Sequence, residues 1–422
     1  MVAGTIIGAS IFVQPSEIAR HLETPAQIMV VWLACGLLTL CGAMVCAELA
    51  SAFPYTGGVY VFLRDTYSTS SQSIRAKPPL VSVSSLPGFP SITICAMRIV
   101  DFHNHYYPPS YVRALETASV VKVTYDADGN PCVHYPGDYN ILVPGHRDIA
   151  YRQRVLDEQG VTTQVLSFTT PGVHVEVPNV AVTLAREIND AFAAVVRERS
   201  PRFTALATLP LSDPAASVVE LERAMTELRL PGAMVFSNVN HVALADVRFA
   251  PLWKKADELG AVIYIHPTDP AGVEAMLDYW LMPLVGFLMD TTLAAATLVF
   301  SGVVARHPRI RWVLTHMGGA IPYLAERLDR GYRAFADCRQ HIDRPPSDYL
   351  RQFYYDTVNF NPSAVRLALD FAGPDRILAG SDYPHQIGSI PLMIETIRGL
   401  DVSDEVRRRI FGGNAAALLG LG

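Results

Sequence analysis

RIVDFHNH, residues 98–105, is a short β-rich run that ends in two histidines two positions apart, and its reading decides the fold. On an extended strand His103 and His105 point to the same face, with Asp101 beside them on it. Seven further runs of the same character follow: TTQVLSFT (162–169), FTALATLP (203–210), GAMVFS (232–237), AVIYIHP (261–267), RIRWVLTH (309–316), FYYDTV (353–358) and RILAGSDYP (376–384). Helical stretches separate them. After Asn179, for example, Leu184, Ile188, Phe192, Val195 and Val196 recur on one helical face and read as core. Eight strand–helix units over roughly 320 residues predict an α/β fold, a (β/α)8 TIM-type barrel. A short hydrophobic helical N-terminal region precedes it.

A barrel of this kind gathers its chemistry at the C-terminal ends of the strands. His266 ends the fifth run, His316 the sixth and Asp382 the eighth, each before a turn with Pro or Gly. Five ionisable groups thus end four of the eight strands, which packing needs alone do not explain. Imidazole and carboxylate mixed in this way suit a borderline divalent ion such as zinc, with one position left for water. The remaining histidines contrast with these. His307 and His341 lie in polar connections. His134, His146, His174 and His241 sit in loop-like segments, of which only His174 follows a barrel strand and stays a candidate for the pocket.

Composition excludes other classes. Half of the 422 residues are hydrophobic, 18% are charged and the net charge is -6, so no basic footprint for nucleic acid exists. Small molecules or other proteins are the expected partners. Cys35, Cys41, Cys46, Cys95, Cys132 and Cys338 show neither zinc-knuckle spacing nor a disulfide framework, which suits a reducing compartment and a cytoplasmic enzyme domain.

The first 96 residues are separate. No Asp, Glu, Lys or Arg occurs between Glu23 and Glu48, a span long enough to cross a bilayer. Gly4 and Gly8 interrupt the preceding GTIIGASIF as in a broken membrane helix. VAGTIIGASIFVQPSEIARHL (2–22) and WLACGLLTLCGAMVCAELASAFPYTGGVYVFLRDTY (32–67) resemble the start of an amino-acid permease of the amino acid, polyamine and organocation superfamily. Residues 1–67 are read as a transmembrane fragment of that kind and 68–96 as a Ser/Pro-rich linker. Nothing later is apolar for long enough to complete a transporter, so the alternative class, a membrane transporter, is set aside. Met97 begins a sequence that could stand alone, as if a truncated permease start had been joined to a complete enzyme, residues 97–422. Made as a whole, the chain would be membrane-associated through residues 1–67.

DFHNH, YIHP, the stretch 278–332 containing THMGGAIPYLAERLDRGY, ILAGSDYPH and the closing GNAAALLGL together resemble the amidohydrolase-related family, in the branch of aminocarboxymuconate semialdehyde decarboxylase. The resemblance implies one catalytic metal, usually zinc, on His103, His105, His266 and Asp382. His316 matches the histidine that handles the proton of the metal-bound water. It further implies that Arg327 binds a substrate carboxylate across a homodimer interface and that Trp280 lines the pocket. The chain departs from the pattern at three places. No arginine stands in YDADGNPCVHYPGDYN (125–140), Thr268 replaces a tryptophan, and His385 replaces a phenylalanine. A more polar pocket with one fewer cation implies a small monocarboxylate or aromatic acid, with His385 among the substrate-binding residues. The reaction implied is decarboxylation through metal-activated water and His316. The alternative is hydrolysis of an amide, lactone or imine on the same site, with Asp382 accepting the proton.

Overall fold

The computed structural model describes residues 24, 26–27, 30, 97–117, 121–135 and 138–421. The chain divides into two units, Met1–Thr93 and Ile94–Gly422. The expectations for the apolar segment after Glu23, for Gly4 and Gly8, and for the linker at 68–96 fall outside the described residues.

All eight runs form strands of one parallel barrel: β1 (Val100–His105), β2 (Thr163–Ser167), β3 (Phe203–Ala205, continued by Ala207–Thr208), β4 (Gly232–Phe236), β5 (Val262–His266), β6 (Arg311–Leu314), β7 (Tyr354–Asp356) and β8 (Ile377–Leu378). Each pairs in parallel with the next. The ring closes where Phe102 N donates to the Ala379 carbonyl at 2.8 Å and Asp382 N to the His103 carbonyl at 2.8 Å. β3 breaks at Leu206, whose N–H still bonds to Leu166 of β2 while the continuation pairs with β4. Strands covered on both faces read as nearly unbroken apolar runs, and β2, β4 and β5 are buried at every position.

The helices between them are α1 (Ile149–Gln159), α2 (Pro178–Arg199), α3 (Pro214–Thr226), α4 (Ala250–Leu259), α5 (Phe287–Phe300), α6 (Ile321–Ala334), α7 (Pro362–Ala372) and, after β8, α8 (Ile390–Arg398). Their starts are written locally. Asp148, Asp213, Asn361 and Ser389 cap α1, α3, α7 and α8 with side-chain oxygens, and Pro opens six of the eight. On α2, Leu184, Ile188 and Phe192 are buried and Val195 and Val196 pack against the core, as the periodicity requires.

Two expectations change. His134 lies on a strand, Pro131–Tyr135, and His146 in the short helix Pro144–Arg147, where it is buried. Neither sits in an open loop, because the segment after β1 folds into a three-stranded antiparallel sheet over the barrel mouth (Lys122–Tyr125, Pro131–Tyr135, Asp138–Ile141). Among the described residues one helical stretch, Met282–Phe300, is also apolar enough to cross a membrane, with mean hydropathy 1.6. It is largely α5. Half of it is buried within the protein, and its buried face carries Asp290, so its composition follows from packing on the barrel.

Candidate active site

The histidines at the strand ends converge. His103 Nε2 stands 3.1 Å from His105 Nε2, and Asp382 Oδ1 is 3.3 Å and 3.2 Å from those two nitrogens. A nitrogen or oxygen of His103, His105 and His266 forms one cluster within 4.8 Å, and His103, His316 and Asp382 form another. Glycine permits this approach, since a Cβ on Gly380 would stand 2.7 Å from that of His103.

The hydrogen bonds on the far side of each ring fix its orientation. His103 Nδ1–H donates to Asp356 Oδ2 at 2.6 Å. His266 Nδ1–H donates to the Pro267 carbonyl at 2.7 Å, and His105 Nδ1 lies 3.3 Å from Ser167 Oγ. Each of these three rings therefore turns Nε2 toward the common centre, with the tautomer inferred from these partners. His316 differs: its buried Nδ1 has no partner.

Charge tells the same story. Burial would lower the pKa of His103, but Asp356 and Asp382 outweigh it and raise the group to about 10. Burial, then neighbouring imidazoles, hold His105 and His266 well below the ordinary histidine range, though at His105 the bond to Asp382 opposes them. Burial also lowers His316 to about 4, with His103 adding to the effect. At Asp382 burial pushes the carboxyl up, yet the proximity of His103 and His105 prevails and keeps it well below the carboxylate range.

These observations test whether a metal fits. Asp382 Oδ1 is buried and accepts no well-aligned hydrogen bond although two imidazole nitrogens stand beside it. Two imidazole nitrogens and one carboxylate oxygen thus face a common focus, a donor set of the kind that holds a divalent ion. With donor–ion bonds of about 2.0–2.1 Å, neighbouring ligands of a tetrahedral ion lie about 3.3 Å apart. The observed separations match, so the residues fit a divalent cation.

A cavity of about 530 Å³ opens above the cluster and is bordered by His266, His316, Asp382 and His385. Tyr139, Trp280, Phe287 and Phe360 supply aromatic walls. No Arg or Lys borders it among the described residues. Trp280, with φ of 58°, packs its ring 5.2 Å from that of Tyr139. His385 stands near enough to His105 and Asp382 to form a third cluster with them. Arg327 is exposed on α6 and does not border this cavity. Thr268 and His174 border a separate pocket of about 160 Å³ instead, so the change at Thr268 alters that pocket and not the main one.

Asp101 does not join the cluster. It accepts from Ser381 Oγ at 2.6 Å, Ser381 N at 3.0 Å and Gln164 Nε2 at 2.7 Å, in a stretch of β1 where the pairing register shifts. Two buried residues escaped the sequence reading. Asp356 ends β7, where the strand-end rule that found the histidines could have found it. Arg152 carried no signal: it reaches from α1 to Asn104 Oδ1 at 2.7 Å, Gln164 Oε1 at 2.9 Å and the His105 carbonyl, holding the end of β1.

Comparison with known proteins agrees with this geometry. The amidohydrolase family model matches residues 100–421 and the amino acid permease model residues 1–100. The chain is 34% identical over 275 residues to the 2-amino-3-carboxymuconate-6-semialdehyde decarboxylase of Dictyostelium discoideum, covering 64% of this chain and 76% of that protein. It is 29% identical over 330 residues to the 6-methylsalicylic acid decarboxylase of Penicillium expansum, covering 76% and 96%. A dihydroxybenzoic acid decarboxylase from Polaromonas sp., crystallised with manganese and the inhibitor 2-nitroresorcinol, superposes with a TM-score of 0.66 at 27% identity, over 77% of this chain and 97% of that one.

Proposed function

The chain belongs to the amidohydrolase family, and on that premise we propose that its barrel is a metal-dependent decarboxylase of a small aromatic or unsaturated monocarboxylic acid. The observation that carries this reading is the aromatic-walled cavity of about 530 Å³ over the donor cluster, bordered by no Arg or Lys among the described residues. Its size suits a single substituted ring. With Arg327 of a neighbouring subunit taking one substrate carboxylate, a second would find no Arg or Lys in the lining of this cavity among the described residues, which disfavours a dicarboxylate. The relatives named for the decarboxylation of aromatic acids support the same reading.

His103, His105, His266 and Asp382 would hold the ion. When bound, it supplies fixed positive charge and Lewis acidity. Zinc is our reading from the imidazole-rich donor set, although the Polaromonas relative holds manganese. His316 borders the cavity with an unpartnered Nδ1. Burial keeps its ring neutral, so it acts as a relay, taking up a proton from water at one ring nitrogen as it passes one from the other to the carbon that bears the carboxylate. The new C–H bond takes its electron pair from the π system of the substrate, the bond to the carboxylate then breaks and returns its pair to that system, and carbon dioxide leaves. Trp280 and His385 contact the substrate.

Arg327 would serve the neighbouring subunit of a homodimer. Tyr323 on the same helix, Val285 in the turn just before α5, and Met289 and Leu293 on α5 leave apolar surface exposed, as a self-interface needs. Residues 1–67 would tether the full chain to a membrane, with 68–96 as linker and the enzyme from Met97. Activity found wholly in the soluble fraction of cells rejects the tether.

The central test combines metal analysis of the purified chain with a screen of aromatic and unsaturated acids, following carbon dioxide release. Metal-loaded protein that releases none, yet hydrolyses an amide or lactone, would overturn the reading.

A further inference from the structure

His146 is buried at 1% exposure and borders the cavity, yet neither of its ring nitrogens has a hydrogen-bond partner. A neutral imidazole offers one N–H and one lone pair, and a buried polar atom left unpaired is unfavourable. Its neighbours do not answer either need. On one side lies the ring of Tyr107, 5.5 Å between centroids, whose hydroxyl donates elsewhere, to the Thr170 carbonyl. On the other lies His385, 5.0 Å away, which in turn stands 4.8 Å from His105. Arg152, close in sequence, spends its guanidinium on Gly145, Asn104, Gln164 and His105. The ring is thus one residue removed from the donor cluster, set in an otherwise largely aromatic and aliphatic wall, with its polar edge unanswered by the protein.

We propose that His146 is a specificity-determining residue that receives a hydroxyl substituent of the aromatic acid, so that the site prefers a ring hydroxyl to a methyl group at that position. This rests on the decarboxylase reading above. A hydroxyl can donate to the bare nitrogen of a neutral imidazole or accept from its N–H, and so pairs one of the two, whereas a methyl group of similar size leaves both nitrogens buried and unpaired. A second carboxylate is excluded from this position because burial keeps the imidazole uncharged and it could not balance the charge.

Two matched pairs of probes test it on the purified, metal-loaded full chain. The first pair is 2,6-dihydroxybenzoate and 2-hydroxy-6-methylbenzoate, compared by kcat/KM for carbon dioxide release. The second is 2-nitroresorcinol and 3-methyl-2-nitrophenol, which cannot lose carbon dioxide and are compared by calorimetric Kd. The dihydroxy member of each pair is favoured by at least about tenfold in the wild type, the worth of one well-made hydrogen bond. In His146→Phe the preference falls to within about threefold, and in His146→Gln, which keeps a donor and an acceptor, part of it returns. Thermal melts of both variants verify folding, and should Phe fail to fold, the wild-type and Gln preferences still decide. A wild type that shows no preference in binding, or a preference that survives in His146→Phe, overturns the proposal. If the nitro pair shows the preference but no aromatic acid releases carbon dioxide, the subsite stands and the decarboxylase reading falls.

Discussion

Replacing Asp356 by Asn removes one charge from the site and keeps its shape. Asp356 is fully buried, and four donors converge on its two oxygens: His103 Nδ1 at 2.6 Å, Val358 N at 3.0 Å, Met317 N at 3.3 Å and the Tyr264 hydroxyl at 3.3 Å. An Asn amide accepts on one side only, so its NH₂ must face at least one of those donors. The imidazole of His103 also loses the carboxylate that most strongly raises its pKa, and with it much of the basicity of Nε2. Loss of such an orienting partner weakens metal binding about 10–100-fold, or about 1.4–2.8 kcal/mol. Competition with a chromophoric chelator measures this directly on wild type and Asp356→Asn, and melting curves with and without metal verify that both are folded. Asp356→Ala is a poorer choice, because it leaves several buried N–H groups unpaired at about 1–3 kcal/mol each. A metal Kd that moves by less than about threefold in a folded Asp356→Asn protein would refute the assignment of Asp356 as the residue that orients His103.

Three further outcomes are expected. His103→Ala loses both metal and activity, whereas His316→Ala keeps its metal and loses about 100–10,000-fold in kcat; loss of metal from both would abolish the division of roles. His174 is buried, and burial lowers its pKa to about 4, so as pH falls from about 6.5 the unfolded chain takes up a proton first and stability drops by about 3 kcal/mol by pH 4. His174→Phe should flatten the melting profile in that window, and equal slopes for the two proteins would contradict the reasoning. Arg327→Ala raises KM for the acid without changing metal content, and wild type sediments as a dimer; a monomeric wild type at micromolar concentration removes the cross-subunit role.

The barrel was legible because its strands are buried on both faces. Each then reads as an apolar run, and a His or Asp at its end stands out against that background. The same reasoning explains what was missed. Asp356 ends its strand but stands inside the run FYYDTV, with no Pro or Gly directly after it, and its importance lies in its partner His103, 253 positions earlier in the chain. Arg152 is 47 residues from the His105 carbonyl it holds. His146 read as a loop residue because only the folding of the antiparallel sheet onto the barrel mouth encloses it. Asp101 shares the strand and the face predicted for it, but a register shift between Asp101 and Asn104 diverts its carboxylate to Ser381 and Gln164. Spacing along a strand gives the face, and only the pairing of neighbours gives the target.

What separates the proposed ligands from the proposed proton carrier is the far side of each ring. His103, His105 and His266 each have an oxygen at Nδ1, which fixes the tautomer and commits Nε2 to the centre. His316 has none, so its ring can carry the proton on either nitrogen as its neighbours change. Among these four histidines the backbone adds to the contrast, since only His316 sits at positive φ, 51°, a conformation it shares with Asp382 at 57° and one worth about 1–3 kcal/mol of strain. Met317 and Gly318 continue the same left-handed turn after His316. Strain of this kind persists only where the surrounding structure holds it, and here it lifts His316 out of line with the strand that delivers it. A histidine placed by a turn and left free at Nδ1 can exchange protons with a substrate in the cavity; three histidines pinned at Nδ1 can hold an ion still while it does so.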